Sequence, residues 1–316
     1  MKLSLFSTLW GYRKEYLPKD IFSGIIIAAV SIPISMGYAQ ISGIPAVYGL
    51  YGSVLPILLF ALFSTSRQFI FGVDAAPAAI VGGALSTLGI AAESEAAMDY
   101  VPAIALFAGL WLFVFFLLHA DKIVDFISTP VMGGFISGIA VTIILMQIPK
   151  LMGSPAGSGE LLELAEHIFA AAKNISWLSL CMGLGALILI RIFKKLAPKF
   201  PMAIAIMALG VLSTVVFHVD EKGVVLLQSV ERGLPSLVIP DFGNVDLTQA
   251  AGRGLMVAVV IMAETLLAEN TFAFRNDYKL NDRQEILSCA AGNIAAAAVG
   301  CCPVNGSISR TSLNEQ

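Results

Sequence analysis

Runs of about 20 mostly apolar residues, the length an α-helix needs to cross a bilayer, recur along this chain. They lie near 20–40, 46–65, 73–92, 100–119, 126–149, 176–193, 201–218, 254–274 and 284–301, and a further run begins near Ser307. A single water-soluble core cannot hide so many. A soluble domain carries roughly 25% charged residues, whereas 13% are charged here and 57% are hydrophobic. The sequence therefore predicts an all-α polytopic membrane protein with the lipid bilayer as its solvent. Leu3 to Trp10 is a shorter apolar stretch, followed by Arg13, Lys14, Glu15, Lys19 and Asp20 with no small-residue cleavage site. It reads as a short interfacial helix at the cytoplasmic surface, not as a cleaved signal.

Charge asymmetry orients the spans. With the N-terminus cytoplasmic, the inner segments hold Lys2, Arg13, Lys14, Lys19, Arg67, Lys122, Arg191, Lys194, Lys195, Lys199, Arg275, Lys279 and Arg283. The outer segments hold only Lys150, Lys173, Lys222, Arg232 and Arg253. This bias favours a cytoplasmic N-terminus in the cell inner (plasma) membrane. The two longest connections, 150–175 and 219–253, then lie outside, and Pro235, Pro240 and Gly243 make the second irregular.

Other function classes find little support. The net charge of −3 and the lack of a basic tract argue against nucleic acid. Cys181, Cys289, Cys301 and Cys302 sit in apolar runs without a CxxC pair or a Cys/His ligand spacing, so they read as small core-filling thiols. No metal or cofactor is expected. No HExxH, GxSxG or P-loop pattern suggests an enzyme. Gly134 and Gly138 form a GxxxG pattern that predicts close helix packing.

Two runs look broken. The third begins Phe71-Gly72-Val73-Asp74-Ala75-Ala76-Pro77, and the tenth begins Gly300-Cys301-Cys302-Pro303-Val304-Asn305-Gly306-Ser307. Irregular backbone at membrane depth survives only where it is buried in protein or lines a cavity. A pair of such breaks in two halves of a chain is the best sequence pointer to a transporter binding site. The half-helix N-termini would present free N–H groups and positive dipole ends, which suit an anion. Candidate substrate-binding residues are Asp74, Ala75, Ala76, Gly306, Ser307, Ser309 and Arg310. Arg310 supplies a fixed positive charge for an anion or for Glu264. Asp74 is expected to cap its own helix.

Glu264 lies midway along Gly254–Phe274, where a carboxyl must be protonated, paired or hydrated. It is the candidate ion-coupling residue. Glu269, roughly 140° around the same helix, is expected nearer the cytoplasmic end, solvated or paired.

Several of these residues carry a family resemblance. Asp20–Gln40, with Ile32-Pro33 and Gly37-Tyr38-Ala39-Gln40, resembles the first helix of the sulfate permease (SulP) family, the bacterial relatives of the SLC26 anion exchangers. Val47-Tyr48-Gly49-Leu50-Tyr51 and Ser66-Arg67-Gln68 continue the likeness, and Phe71–Ala76 resembles the start of the third helix. Gly233-Leu234-Pro235, Glu264-Thr265-Leu266-Leu267 and Pro303–Thr311 resemble the approach to the eighth helix, the eighth helix and the tenth. The resemblance implies two inverted repeats of seven helices, split into core and gate domains, with substrate between the N-termini of the third and tenth helices. On that pattern 1–19 is a cytoplasmic segment, 20–119 holds core helices 1–4 and 120–218 holds gate helices 5–7. The stretch 219–253 is an extracytoplasmic loop, and 254–316 holds core helices 8–10, the tenth incomplete. Helices 11–14 and a cytoplasmic STAS domain would lie beyond Gln316, and the full-length protein is expected to be a homodimer.

The implied activity is secondary transport of a small anion, of the sulfate, bicarbonate or dicarboxylate class, by alternating access. Ile34 follows Pro33 where many members have Gln or Glu, which weakens a proton role for the first helix; Val73 replaces a common proline. Ala268 stands where sodium-coupled relatives have a hydroxyl ligand, so a proton is expected in place of sodium. A nucleobase permease of the same architecture is the alternative. Arg310 separates the two, because ring N–H groups want acceptors whereas a fixed cation wants an anion.

Overall fold

The computed structural model describes residues 5–9, 11–124, 129–155, 157, 161–196, 202–226, 233, 235–238 and 241–315. The chain order is α1 (Leu17–Ile41), α2 (Ala46–Tyr51), α3 (Leu55–Phe63), β1 (Phe71–Val73), α4 (Ala75–Thr87), α5 (Glu95–Leu118) and α6 (Asp121–Val124). There follow α7 (Thr129–Leu151), α8 (Leu161–Lys173), α9 (Trp177–Leu196), α10 (Met202–Phe217), α11 (Leu247–Arg275), α12 (Asp282–Ala298), β2 (Val304–Gly306) and α13 (Ile308–Asn314).

The packed centre is built from α3, α5, α11 and α12. Small residues let these helices approach closely, as expected where lipid offers no hydrophobic drive to pack. A methyl group on Gly109 would sit 2.7 Å from Ile294 of α12, and one on Gly254 would sit 2.6 Å from Phe107 of α5. The run of alanines at the end of α12 continues the same logic. α1 crosses two neighbours at backbone distance: a methyl on Gly49 would stand 2.1 Å from the Ser35 carbonyl oxygen, and one on Gly82 would stand 2.2 Å from that of Ile41. α9 buries none of its residues, and its leucines and isoleucines are largely exposed. That is the surface a helix presents to lipid.

The apolar runs correspond to helices with informative exceptions. The run 46–65 is two helices, α2 and α3, interrupted at Gly52. There the backbone passes so close to Cys301 that a methyl would fall 2.3 Å from its sulfur. The third run is a half-length helix preceded by a strand. The N-terminal stretch is not one interfacial helix. It forms single 3₁₀ turns at Ser7–Leu9 and Lys14–Tyr16, separated by Gly11 in a left-handed conformation at φ 76°; Leu3 and Trp10 lie outside the described residues. The connection 150–175 contains an unforeseen helix, α8, whose charged face and buried Leu164 and Ala171 make it amphipathic rather than spanning. The loop 219–253 gives up its end to α11, which starts at Leu247 under an Asp246 cap. Arg232, Leu234 and Pro240 lie outside the described residues.

Two packing expectations need correction. Gly134 and Gly138 face open space, so among the described residues no helix uses the GxxxG pattern. Cys289, Cys301 and Cys302 are buried, but Cys181 on α9 is exposed and fills no core.

Candidate functional site

The two broken runs meet. β1 and β2 pair antiparallel, Phe71 opposite Gly306, Gly72 opposite Asn305 and Val73 opposite Val304. The pairing extends one step through the Ser307 N–H, which donates to the Ile70 carbonyl at 2.8 Å. Backbone polar groups buried away from water must be paired, and here each break satisfies the other. The outer edge of β2 is covered by the Asn293 side chain of α12, which accepts from the Val304 N–H and donates to the Val304 carbonyl, both at 3.0 Å. Phe71 stacks on Phe60 with centroids 4.2 Å apart, and its ring fills the space over Gly292. From this ribbon α4 and α13 lead away, so Asp74–Ala76 and Gly306–Ser309 come together as the sequence expects.

Arg310 is 1% exposed and lies beneath the ribbon. Its Nη2 donates to the Val73 carbonyl at 2.8 Å, and a methyl on Gly72 would stand 3.2 Å from Nη1. Its Nε and Nη1 have no hydrogen-bond partner. A buried guanidinium with unused donors has unspent capacity for an anion.

Asp74 occupies the N-cap position of α4, yet its side chain makes no capping bond. The expectation that it turns back to cap its own helix fails. The carboxylate points across the ribbon: Oδ1 lies 3.8 Å from Arg310 Nη2 and accepts from Ser307 Oγ at 3.4 Å. Its partners are thus the buried guanidinium and a hydroxyl from the other half-helix. Ser307 is buried and lies 3.4 Å from the exposed Ser309, hydroxyl to hydroxyl, while Ala75 is half-buried and Ala76 buried.

Glu264 is half-buried and accepts from Asn305 Nδ2 at 2.5 Å. Asn305 Oδ1 accepts in turn from Thr265 Oγ1 at 2.6 Å. An amide donating at one end and accepting at the other has a fixed orientation, so Asn305 ties β2 to α11 beside the candidate site. Sequence reading missed Asn305 and Thr265: an Asn before Gly reads as turn chemistry, and a Thr after Glu as helix filler. It also passed over Tyr38 of α1 as a site residue, although its hydroxyl lies close enough to Asp74 and Arg310 to feel both charges. The signal was the single phenol of α1.

Glu269 departs from expectation in the other direction. It is neither solvated nor paired: it is fully buried, and neither carboxyl oxygen has a hydrogen-bond partner. Distance along α11 suggested the membrane surface, but α12 packs against this turn and covers it.

Comparison with known proteins places this arrangement. The chain is 30% identical over 316 residues to sulfate transporter 4.1, chloroplastic, of Arabidopsis thaliana, covering 96% of this chain and 45% of that protein. It superposes on the transmembrane domain of a cyanobacterium bicarbonate transporter, BicA, with a TM-score of 0.82 at 20% identity, covering 96% of this chain and 78% of that one. Murine Slc26a9, an anion transporter solved in the inward-facing state, gives a TM-score of 0.85 at 17% identity, with 98% and 55% covered. These likenesses show that the chain has the polytopic transporter fold in which two half-helices meet. The chain spans about half the length of the curated relatives it matches. The profile of the sulfate permease family matches residues 17–316, and with that match over nearly the whole chain, the protein belongs to the sulfate permease family.

Proposed function

We propose that this chain is the membrane part of a secondary transporter that carries a small anion, of the sulfate, bicarbonate or dicarboxylate class, by alternating access coupled to protons. The observation that carries the reading is Arg310, fully buried under the β1–β2 ribbon with two donor groups unused, beside the converging starts of α4 and α13. Its charge is balanced at 3.8 Å by Asp74. An anion gains most when a proton neutralises Asp74 or Glu264, two carboxyls close enough to feel each other's charge. Protonation and anion binding then favour one another, which is the thermodynamic content of symport. A guanidinium has five donors and no acceptor, so the site suits an anion better than a nucleobase. The matched relatives named for sulfate and bicarbonate support the same substrate classes.

In this reading the core helices of 20–119 and 254–316 move against the gate helices of 120–218. The N-terminus is cytoplasmic and the membrane is the cell inner (plasma) membrane. The test of function is radiotracer uptake by the full-length protein, with sulfate, bicarbonate and succinate compared across pH and sodium. Uptake of one anion that rises with an inward proton gradient is expected; uptake of uracil and of no anion would overturn the proposal. Orientation is tested separately. A thiol introduced by Ser236→Cys should react with an impermeant reagent added to intact cells. Labelling that waits for permeabilisation would invert the topology.

A further inference from the structure

Glu269 of α11 and Glu285 of α12 are both fully buried and face each other. Their surroundings are unequal. Glu285 accepts three hydrogen bonds: from Ser64 Oγ at 2.8 Å, from the Thr65 N–H at 2.6 Å, and from Thr65 Oγ1. The direction of the hydroxyl bonds is fixed from behind. Ser64 Oγ accepts from the Ser66 N–H at 3.0 Å, and Thr65 Oγ1 accepts from the Asn281 N–H at 3.1 Å. Each hydroxyl has one hydrogen, and in each case it points at Glu285. Three converging donors are the solvation shell of an ionised carboxylate.

Glu269 receives none of this. The groups that face it are acidic or neutral: Glu285, Asp282 and Cys289 from α12, and the Tyr278 hydroxyl from the connection between α11 and α12. The Tyr278 hydroxyl is itself within 3.1 Å of Ser66 Oγ, and Arg67 lies over its ring. Burial pushes that hydroxyl above its ordinary range, so it stays neutral. Neither the Arg275–Glu315 nor the Arg310–Asp74 ion pair involves this site. A second bare carboxylate buried beside Glu285, without a donor or a cation, is not a stable arrangement. A metal ion would need lone pairs, but the nearby hydroxyls turn their hydrogens inward.

We propose that Glu269 and Glu285 hold one proton between them, forming a proton-binding site separate from Glu264 that exchanges with the compartment faced by residues 276–281. The proton resides on Glu269, and Glu285 is the fixed anion. While it is held, α11, α12 and the segment 64–66 that leads into β1 stay together. When it leaves, two negative charges share a buried space and push these three elements apart. Stability is therefore greatest where the site is protonated and falls as pH rises through its titration. The site responds to pH on one side of the membrane without touching the anion.

The test uses the full-length protein in lipid and does not depend on transport, so it can fail while the transport reading stands. Infrared spectra of the native protein against Glu269→Gln should differ at neutral pH by the carbonyl stretch of one protonated carboxylic acid. A difference consisting of ionised carboxylate bands overturns the proposal. The amide of Glu269→Gln mimics the protonated acid and can donate to Glu285. The fall in melting temperature from neutral to mildly alkaline pH should therefore shrink by at least about half in Glu269→Gln and persist in Glu264→Gln. Parallel pH curves for native protein and Glu269→Gln overturn it too. If Glu269→Gln does not fold, the native protein alone decides. Its acid band should titrate away when pH is raised on the side of residues 276–281, and a band that ignores pH on that side counts against the site.

Discussion

Replacing Arg310 by alanine should cut anion affinity of the full-length protein by about 30-fold or more. The figure follows from the ~2 kcal/mol lower bound for removing one partner of a buried, hydrogen-bonded charge pair. Arg310 is buried and has free Nε and Nη1 donors, so its charge acts in a space that salt screens poorly. The two helix starts cannot replace it. Each is worth roughly 0.3–1 kcal/mol when exposed and up to about 2 when partly buried, and α13 is only seven residues long. Arg253, near the start of α11, is the control. Arg253→Ala leaves the ribbon untouched and should change affinity little. Arg310→Lys keeps a charge but loses the planar fork, and should fall between the two. Calorimetry or tracer binding on the three variants decides. Equal, small losses for Arg310→Ala and Arg253→Ala would remove Arg310 from the site.

Glu264→Gln should abolish pH-driven accumulation while leaving anion binding measurable. The amide keeps the size of the side chain and can still meet Asn305, which bridges to Thr265 and so holds β2 against α11. What is lost is the ability to gain and release a proton beside Asp74. Coupling disappears because an amide at position 264 cannot change its charge with the gradient. Downhill exchange should survive. Uptake that follows a sodium gradient and ignores pH, in native protein or variant, would rule out the proton. The lack of a hydroxyl at Ala268 leads to the opposite expectation.

The meeting of the two breaks was legible because glycine and proline at membrane depth are costly unless the backbone finds partners. The identity of those partners was not. Three-residue strands are too short to show alternation, so nothing in Phe71–Val73 or Val304–Gly306 announced a ribbon or its register. The site was read through its charges, which found Asp74, Glu264 and Arg310. The amide and hydroxyls that orient them were harder to see: Asn305, Thr265 and Tyr38 are ordinary residue types whose importance lies in which neighbour they reach. Asp74 shows the limit of local rules. Its N-cap position was predictable, but the arginine that draws its side chain away comes from the far end of the chain. Glu269 shows the limit of counting along a helix, since depth in the protein is set by what packs on that turn and not by distance from the helix end.

The ribbon carries a mechanical consequence. The starts of α4 and α13 are stitched by backbone bonds in a fixed register, braced on one edge by Asn293 and from beneath by Arg310. Side-chain rotation cannot separate them, and parting them would strand buried polar groups. The two half-helices therefore cannot act as jaws that open to release a ligand. They form a rigid platform, so in the proposed transporter an anion bound at its lip would change sides only by riding with the platform as one body.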